Sequence, residues 1–192
     1  MPFVFKPDEK LPEVIHVHPL RFGDARGWFS ETYRADEFQA AGIEGAFIQD
    51  NHSRSASQGT LRGLHFQIAP HAQAKLVRCV RGRILDVAVD IRKGSPRFGQ
   101  ATSVELSAQD GAQLYIPVGF AHGFCTLDDD SEVAYKTDAY YAPDYERGIA
   151  HDDPAIGIDW PFPPDARILS DKDRELPLLA ELAGRINAEG VV

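Results

Sequence analysis

The sequence predicts an all-β domain, a sandwich or barrel of jelly-roll type, on three observations. From residue 13 to about 141, apolar and polar residues alternate with period two in short runs, the mark of strands that turn one face to a core. Gly, Pro, Asn and Asp break those runs at short intervals, with 16 glycines and 13 prolines among 192 residues. Only two segments have helical spacing, too few to supply the crossovers of a parallel sheet.

In chain order, strands are predicted over Val14–His18, Gly27–Tyr33 and Ala46–Asn51, with a short helix at Ala35–Ala41 ended by Gly42. Thr60–Gln67 and Lys75–Val80 follow, and Arg81-Gly82 reads as a hairpin turn into the clearest strand, Ile84–Ile91. There Leu85, Val87, Val89 and Ile91 share one face, and Asp86, Ala88 and Asp90 the other. Thr102–Leu106, Gln113–Ile116 and Glu132–Tyr141 complete the set, while Pro117–Phe124, with His122 between glycines, reads as a loop. The Pro-rich stretch 159–165 reads as an irregular return, and a C-terminal helix is predicted over Leu178–Asn187, ended by Gly190. A single domain over residues 1–192 with a helical tail accounts for this pattern, and a chain of this length buries roughly 70% of its unfolded surface.

Composition narrows the function. Twenty Lys and Arg against 29 Asp and Glu give a net charge of -9, which offers no general attraction for nucleic acid or an anionic membrane. An anionic ligand must therefore be held by local cations. The opening MPFVFKPDEKLPEV lacks the apolar run of a signal peptide, and no stretch reaches the roughly 18 apolar residues of a membrane span, so a soluble cytoplasmic protein is expected. The two cysteines, Cys79 and Cys125, sit in apolar contexts that suit small buried side chains.

Several residues could carry chemistry. LRGLHFQ places Arg62 and His65 around Gly63. In a regular strand they face opposite sides, so both reach one pocket only if Gly63 supplies a bend or bulge. Glu132–Tyr141 would hold Tyr135 and Tyr141 on one wall, although a tyrosine in a strand is more often a packing residue than an acid. Lys75, Arg26 and Lys172 read equally well as surface charges, and His122 as a histidine satisfied by turn backbone. His16 and His18 have the spacing of two ligands on one strand face, but no nearby Glu and later His complete a set, so no metal is expected.

Taken together, GDARGWFSE, FIQDNHS, LRGLHFQ, the long block from Ala74 to Gly99, LYIPVGFAHGF, VAYKTDAYYAP and WPF followed by LSDKD resemble the dTDP-4-dehydrorhamnose 3,5-epimerase family. The blocks run in family order over roughly residues 13 to 177 and are specific in combination. The resemblance implies a cupin-type jelly roll, a double-stranded β-sandwich with a few short peripheral helices. It implies a homodimer with exchanged N-terminal strands. It also implies a cofactor-free inversion of C3 and C5 in a dTDP-linked 4-keto sugar, dTDP-4-dehydro-6-deoxyglucose.

By the same resemblance His65 is the general base, Asp173 its paired carboxylate and Tyr135 the general acid. Lys75 and Arg62 lie near the sugar and phosphate, and Lys75 suits the oxyanion that forms during reaction. Arg26, Glu31, Gln49, Asn51, His122, Glu146 and Lys172 match further substrate-binding positions, Tyr141 lines the pocket, and Phe22 and Phe29 are candidates to pack on thymine. A single-carbon epimerase, a non-catalytic sugar-nucleotide-binding jelly roll and a metal-dependent cupin remain as alternatives.

Overall fold

A computed structural model describes residues 2–182. Of the thirteen strands among the described residues, eleven form two facing antiparallel sheets and two form a hairpin apart from them. One sheet takes β1 (Phe3–Pro7), β2 (Ile15–Pro19), β5 (Gln49–Ser55), β7 (Lys75–Arg81), β10 (Gln113–Ile116) and β12 (Ser131–Thr137), in the order β1-β2-β10-β7-β12-β5. The other takes β6 (Leu61–Gln67), β8 (Arg83–Asp90), β9 (Ala101–Ser107), β11 (Phe120–Thr126) and β13 (Glu146–Gly148), in the order β13-β6-β11-β8-β9. The hairpin is β3 (Phe22–Asp24) with β4 (Gly27–Phe29). This is the predicted jelly roll.

Three apolar clusters explain the layers. Val77, Leu114 and Val133 of the first sheet meet Ile84, Ala88 and Phe124 of the second in the space between them. Leu61, Leu64, Val87 and Val89 form the second sheet's outer face, covered by Ile149, Trp160, Leu179 and Leu182 of the C-terminal segment. Phe38 of helix α1 (Ala35–Ala40) packs on the outer face of the first sheet against Phe3, Val17 and Leu76. The second sheet is thus apolar on both faces.

That double burial accounts for two departures from prediction. The expected loop Pro117–Phe124 largely forms β11, buried along its whole length and therefore without alternation. Asp86 and Asp90, which alternation assigns to a polar face, are buried too. The Arg81-Gly82 step is a corner between the sheets rather than a hairpin, since β7 and β8 pair with different neighbours. Gly82, at φ +74°, makes the corner, where a Cβ would meet Ser131 Oγ at 2.5 Å. The strand expected over Glu132–Tyr141 ends at Thr137, leaving Tyr141 on the following loop. Of the predicted C-terminal helix, residues 179–182 are helical and the remainder lies outside the described residues. Among the described residues no helix is long and apolar enough to cross a membrane.

Candidate active site

The site begins with one extra residue in a strand. Along β6 and β11, His65 pairs with His122 and Arg62 with Phe124, so three steps on β6 span two on β11. Gly63 is the bulge, at φ +126°, with its Cα side so close to β11 that a Cβ would lie 2.5 Å from Gly123 Cα. Beyond it the phase reverses. Leu61, Leu64 and Phe66 join the outer core, and Arg62 and His65 both line the inter-sheet cavity, as the bend expected at Gly63 requires.

Asp173 meets His65 from the C-terminal segment. Ser170 caps the short helix α2 (Asp171–Arg174) by accepting from the Asp173 backbone N–H at 3.1 Å, which fixes the start of the turn. The buried Asp173 carboxylate then lies 2.6 Å from His65 Nε2. Burial alone would raise its pKa, but the hydrogen bond and charge of His65, with help from Ser170 and the Gly63 N–H, hold it below the usual carboxylate range. An ionised partner fixes the ring and leaves the other nitrogen to take a proton.

The first sheet supplies the opposite wall. Lys75, on β7, is buried and donates to the His65 carbonyl at 3.2 Å. Burial pushes its pKa down to about 8 against the opposing pull of Asp86 and Glu146. Tyr135 stands on β12, its phenol raised above the usual range by burial and then by Glu146, so it keeps its proton at neutral pH. Two cavities, of about 330 and 250 Å³, share His65, Lys75 and Tyr135, which therefore stand at the waist of one cleft.

Gln49, Asn51, Tyr141 and Glu146 line one lobe, and Arg62, His122, Lys172 and Asp173 the other. Glu146 accepts from the Tyr141 hydroxyl at 2.7 Å and from Lys172 Nζ at 2.5 Å, joining the lobes. Burial would raise its pKa, but these two bonds hold it low. Among the described residues Arg62 donates to the neutral oxygens of Ser55 and the Arg54 carbonyl, each at 3.3 Å.

Arg26 and Glu31 are placed elsewhere. Arg26 pairs with Asp24 at the tip of the β3–β4 hairpin, its side chain 90% exposed, and Glu31 lies beside Arg34. Neither lines the cleft within one chain. Among the described residues no three His, Cys, Asp or Glu side chains gather where they could hold a metal ion.

Sequence reasoning missed three contributors. Asp86 lies 2.8 Å from His122 Nε2 behind the cavity wall. Gln67 donates to the His71 carbonyl and accepts from the Ala142 N–H, and Gln73 donates to the Ala139 carbonyl, tying down the loop that carries Tyr141. An amide at an inward position of a strand was the available signal for Gln67.

Comparison with known proteins agrees with the fold. A family profile described as dTDP-4-dehydrorhamnose 3,5-epimerase matches residues 8–181. The dTDP-4-dehydrorhamnose 3,5-epimerase of Sinorhizobium fredii is 51% identical over 172 residues, 90% of this chain and 88% of that one. The crystal structure of a Legionella pneumophila dTDP-6-deoxy-D-glucose-3,5-epimerase in complex with dTDP-4-keto-L-rhamnose is 40% identical, with a TM-score of 0.90 over 96% of each chain. A 3'-monoepimerase from Streptomyces bikiniensis in complex with dTDP-quinovose is 35% identical, with a TM-score of 0.87 over 96% of this chain and 92% of that one.

Proposed function

Because the chain belongs to the dTDP-4-dehydrorhamnose 3,5-epimerase family, we infer that it epimerises dTDP-4-dehydro-6-deoxy-D-glucose at C3 and C5 to dTDP-4-dehydro-L-rhamnose, with His65 as base and Tyr135 as acid. The observation that carries the residue assignment is the placement of the two groups. His65 comes from one sheet and Tyr135 from the other, across one cleft. Inversion asks for that arrangement, since the proton must leave one face of the ring and return to the other.

The hydrogens on C3 and C5 flank the C4 ketone. His65 takes one as a proton, the electron pair of the broken C–H bond delocalises onto O4, and Lys75 stabilises the resulting enolate. Asp173 supports the imidazolium that forms. Tyr135 then donates its proton to the opposite face of the same carbon, and solvent restores both groups. No electrons change hands between molecules, so the reaction needs no redox cofactor.

The pyrophosphate requires local cations in an acidic protein, and Arg62 and Lys172 offer them on one lobe. The β3–β4 hairpin supports a homodimer with exchanged N-terminal strands. It carries Arg26 beside Phe22, Trp28 and Phe29, which are 57%, 61% and 66% exposed, an apolar patch that suits a second copy. In that dimer the partner's Arg26 reaches the phosphates. We place the enzyme in the cytoplasm as one continuous catalytic domain.

The test is incubation of chelator-treated protein with dTDP-4-dehydro-6-deoxyglucose in D₂O, following deuterium at each carbon and the product configuration. Deuterium at C3 and C5 with inverted product is expected, and His65→Asn should lose exchange at both. Label at one carbon alone would make it a monoepimerase, and tight binding without exchange a binding protein.

A further inference from the structure

One charged residue has no part in that mechanism. Asp86 lies on β8 with Ile84 and Ala88, on the face between the sheets, and is 0% exposed. Its Oδ1 accepts from His122 Nε2 at 2.8 Å, and its Oδ2 has no hydrogen-bond partner among the described residues. A carboxylate withdrawn from water with one oxygen unpaired is costly, and an apolar residue would suit stability better.

We propose that Asp86 is a positioning residue for the epimerisation: its buried carboxylate holds His122 in one tautomer and supplies the negative charge that keeps the nearby Lys75 ammonium protonated. The proposal rests on the reading of Lys75 as the group that stabilises the enolate. Donation from Nε2 leaves His122 with a bare Nδ1, and burial, which outweighs the pull of Asp86, keeps the ring neutral. A neutral ring does not offset the influence of Asp86 that opposes the effect of burial on Lys75.

Several groups face Lys75. Across the cleft stand His65 with Asp173 behind it and Arg62 from β6, His122 from β11, Asp86 from β8 and Glu146 from β13, and beside it on the same wall stands Tyr135 from β12. Of these, Asp86 and Glu146 oppose the effect of burial on the ammonium. Glu146 is already shared by Lys172 and Tyr141. Asp86 bonds only a neutral ring, and its charge is left to Lys75.

The test is Asp86→Asn, whose side-chain oxygen still accepts from His122 while the charge is gone. Its kcat is measured from pH 6 to 9 with saturating dTDP-4-dehydro-6-deoxyglucose. On this proposal the alkaline limb reports loss of the Lys75 ammonium, and in the variant it is expected to lie about one unit or more below the parent's, as loss of a nearby opposite charge requires, with KM changed only a few-fold. A limb that stays in place while kcat falls would overturn the proposal and leave Asp86 a packing role. If the asparagine variant is not folded by circular dichroism, Asp86→Ser carries the same reading. An inactive parent would instead overturn the proposed function, so the two failures are distinguishable.

Discussion

Replacing Lys75 with methionine is expected to stabilise the fold while removing most of the activity. The lysine is buried, and its pKa in the fold is about 8 against the usual 10.5. A base whose folded pKa is lowered destabilises the fold wherever it is charged. The cost is full below about pH 8 and is relieved as pH rises from there towards 10.5. A gap of about 2.5 units corresponds to about 3 kcal/mol. Methionine fills the same unbranched channel without charge, and gives up the bond to the His65 carbonyl, worth about 1 kcal/mol. The variant should gain about 2 kcal/mol at pH 7, and the advantage should shrink by about 2 kcal/mol between pH 7 and 9.5. Urea unfolding at fixed protein concentration over that pH range measures it, and turnover should fall about 10²- to 10³-fold. A stability difference that does not change with pH, or a variant less stable than the parent at pH 7, would refute the reasoning.

Two further outcomes follow from the same cleft. Tyr135→Phe should still wash substrate hydrogen into solvent while failing to yield inverted product, because abstraction by His65 precedes the missing step; loss of both by mass spectrometry would reassign Tyr135 to binding. Gly63→Ala should cost about 3 kcal/mol or more in urea unfolding, since the new Cβ would combine a disfavoured φ with a backbone overlap at Gly123, and a loss under 1 kcal/mol would show that the bulge is not pinned there.

Much of this is legible in the sequence. Period-two runs located most of the strands, and the family's motif blocks picked out His65, Asp173, Tyr135 and Lys75, all of which line the cleft. The bulge was half legible. Reading Leu61 to Gln67 without Gly63 leaves Leu-Arg-Leu-His-Phe-Gln, an unbroken alternation that sends Arg62 and His65 to the same side. What escaped was long-range in origin. β11 and Asp86 were misread because alternation reports burial only when one face meets water, and here a C-terminal segment more than twenty residues away covers the other. Tyr141 reached the predicted cleft from a loop rather than from the expected strand, because Gln67 and Gln73 hold that loop by its carbonyls and amides.

The apolar layer between the sheets has a consequence for the chemistry. Val77, Leu114 and Val133 on one side and Ile84 and Ala88 on the other line neither lobe of the cleft, yet they set how far apart the two walls stand. On the proposed roles of His65 and Tyr135, the ring fits that slot with one carbon in reach of a base on one wall and an acid on the other. Stereochemical fidelity is thereby a property of core packing: a methylene added or removed deep in the sandwich widens or narrows the slot, and handedness in the product is gauged by residues that take no part in making it.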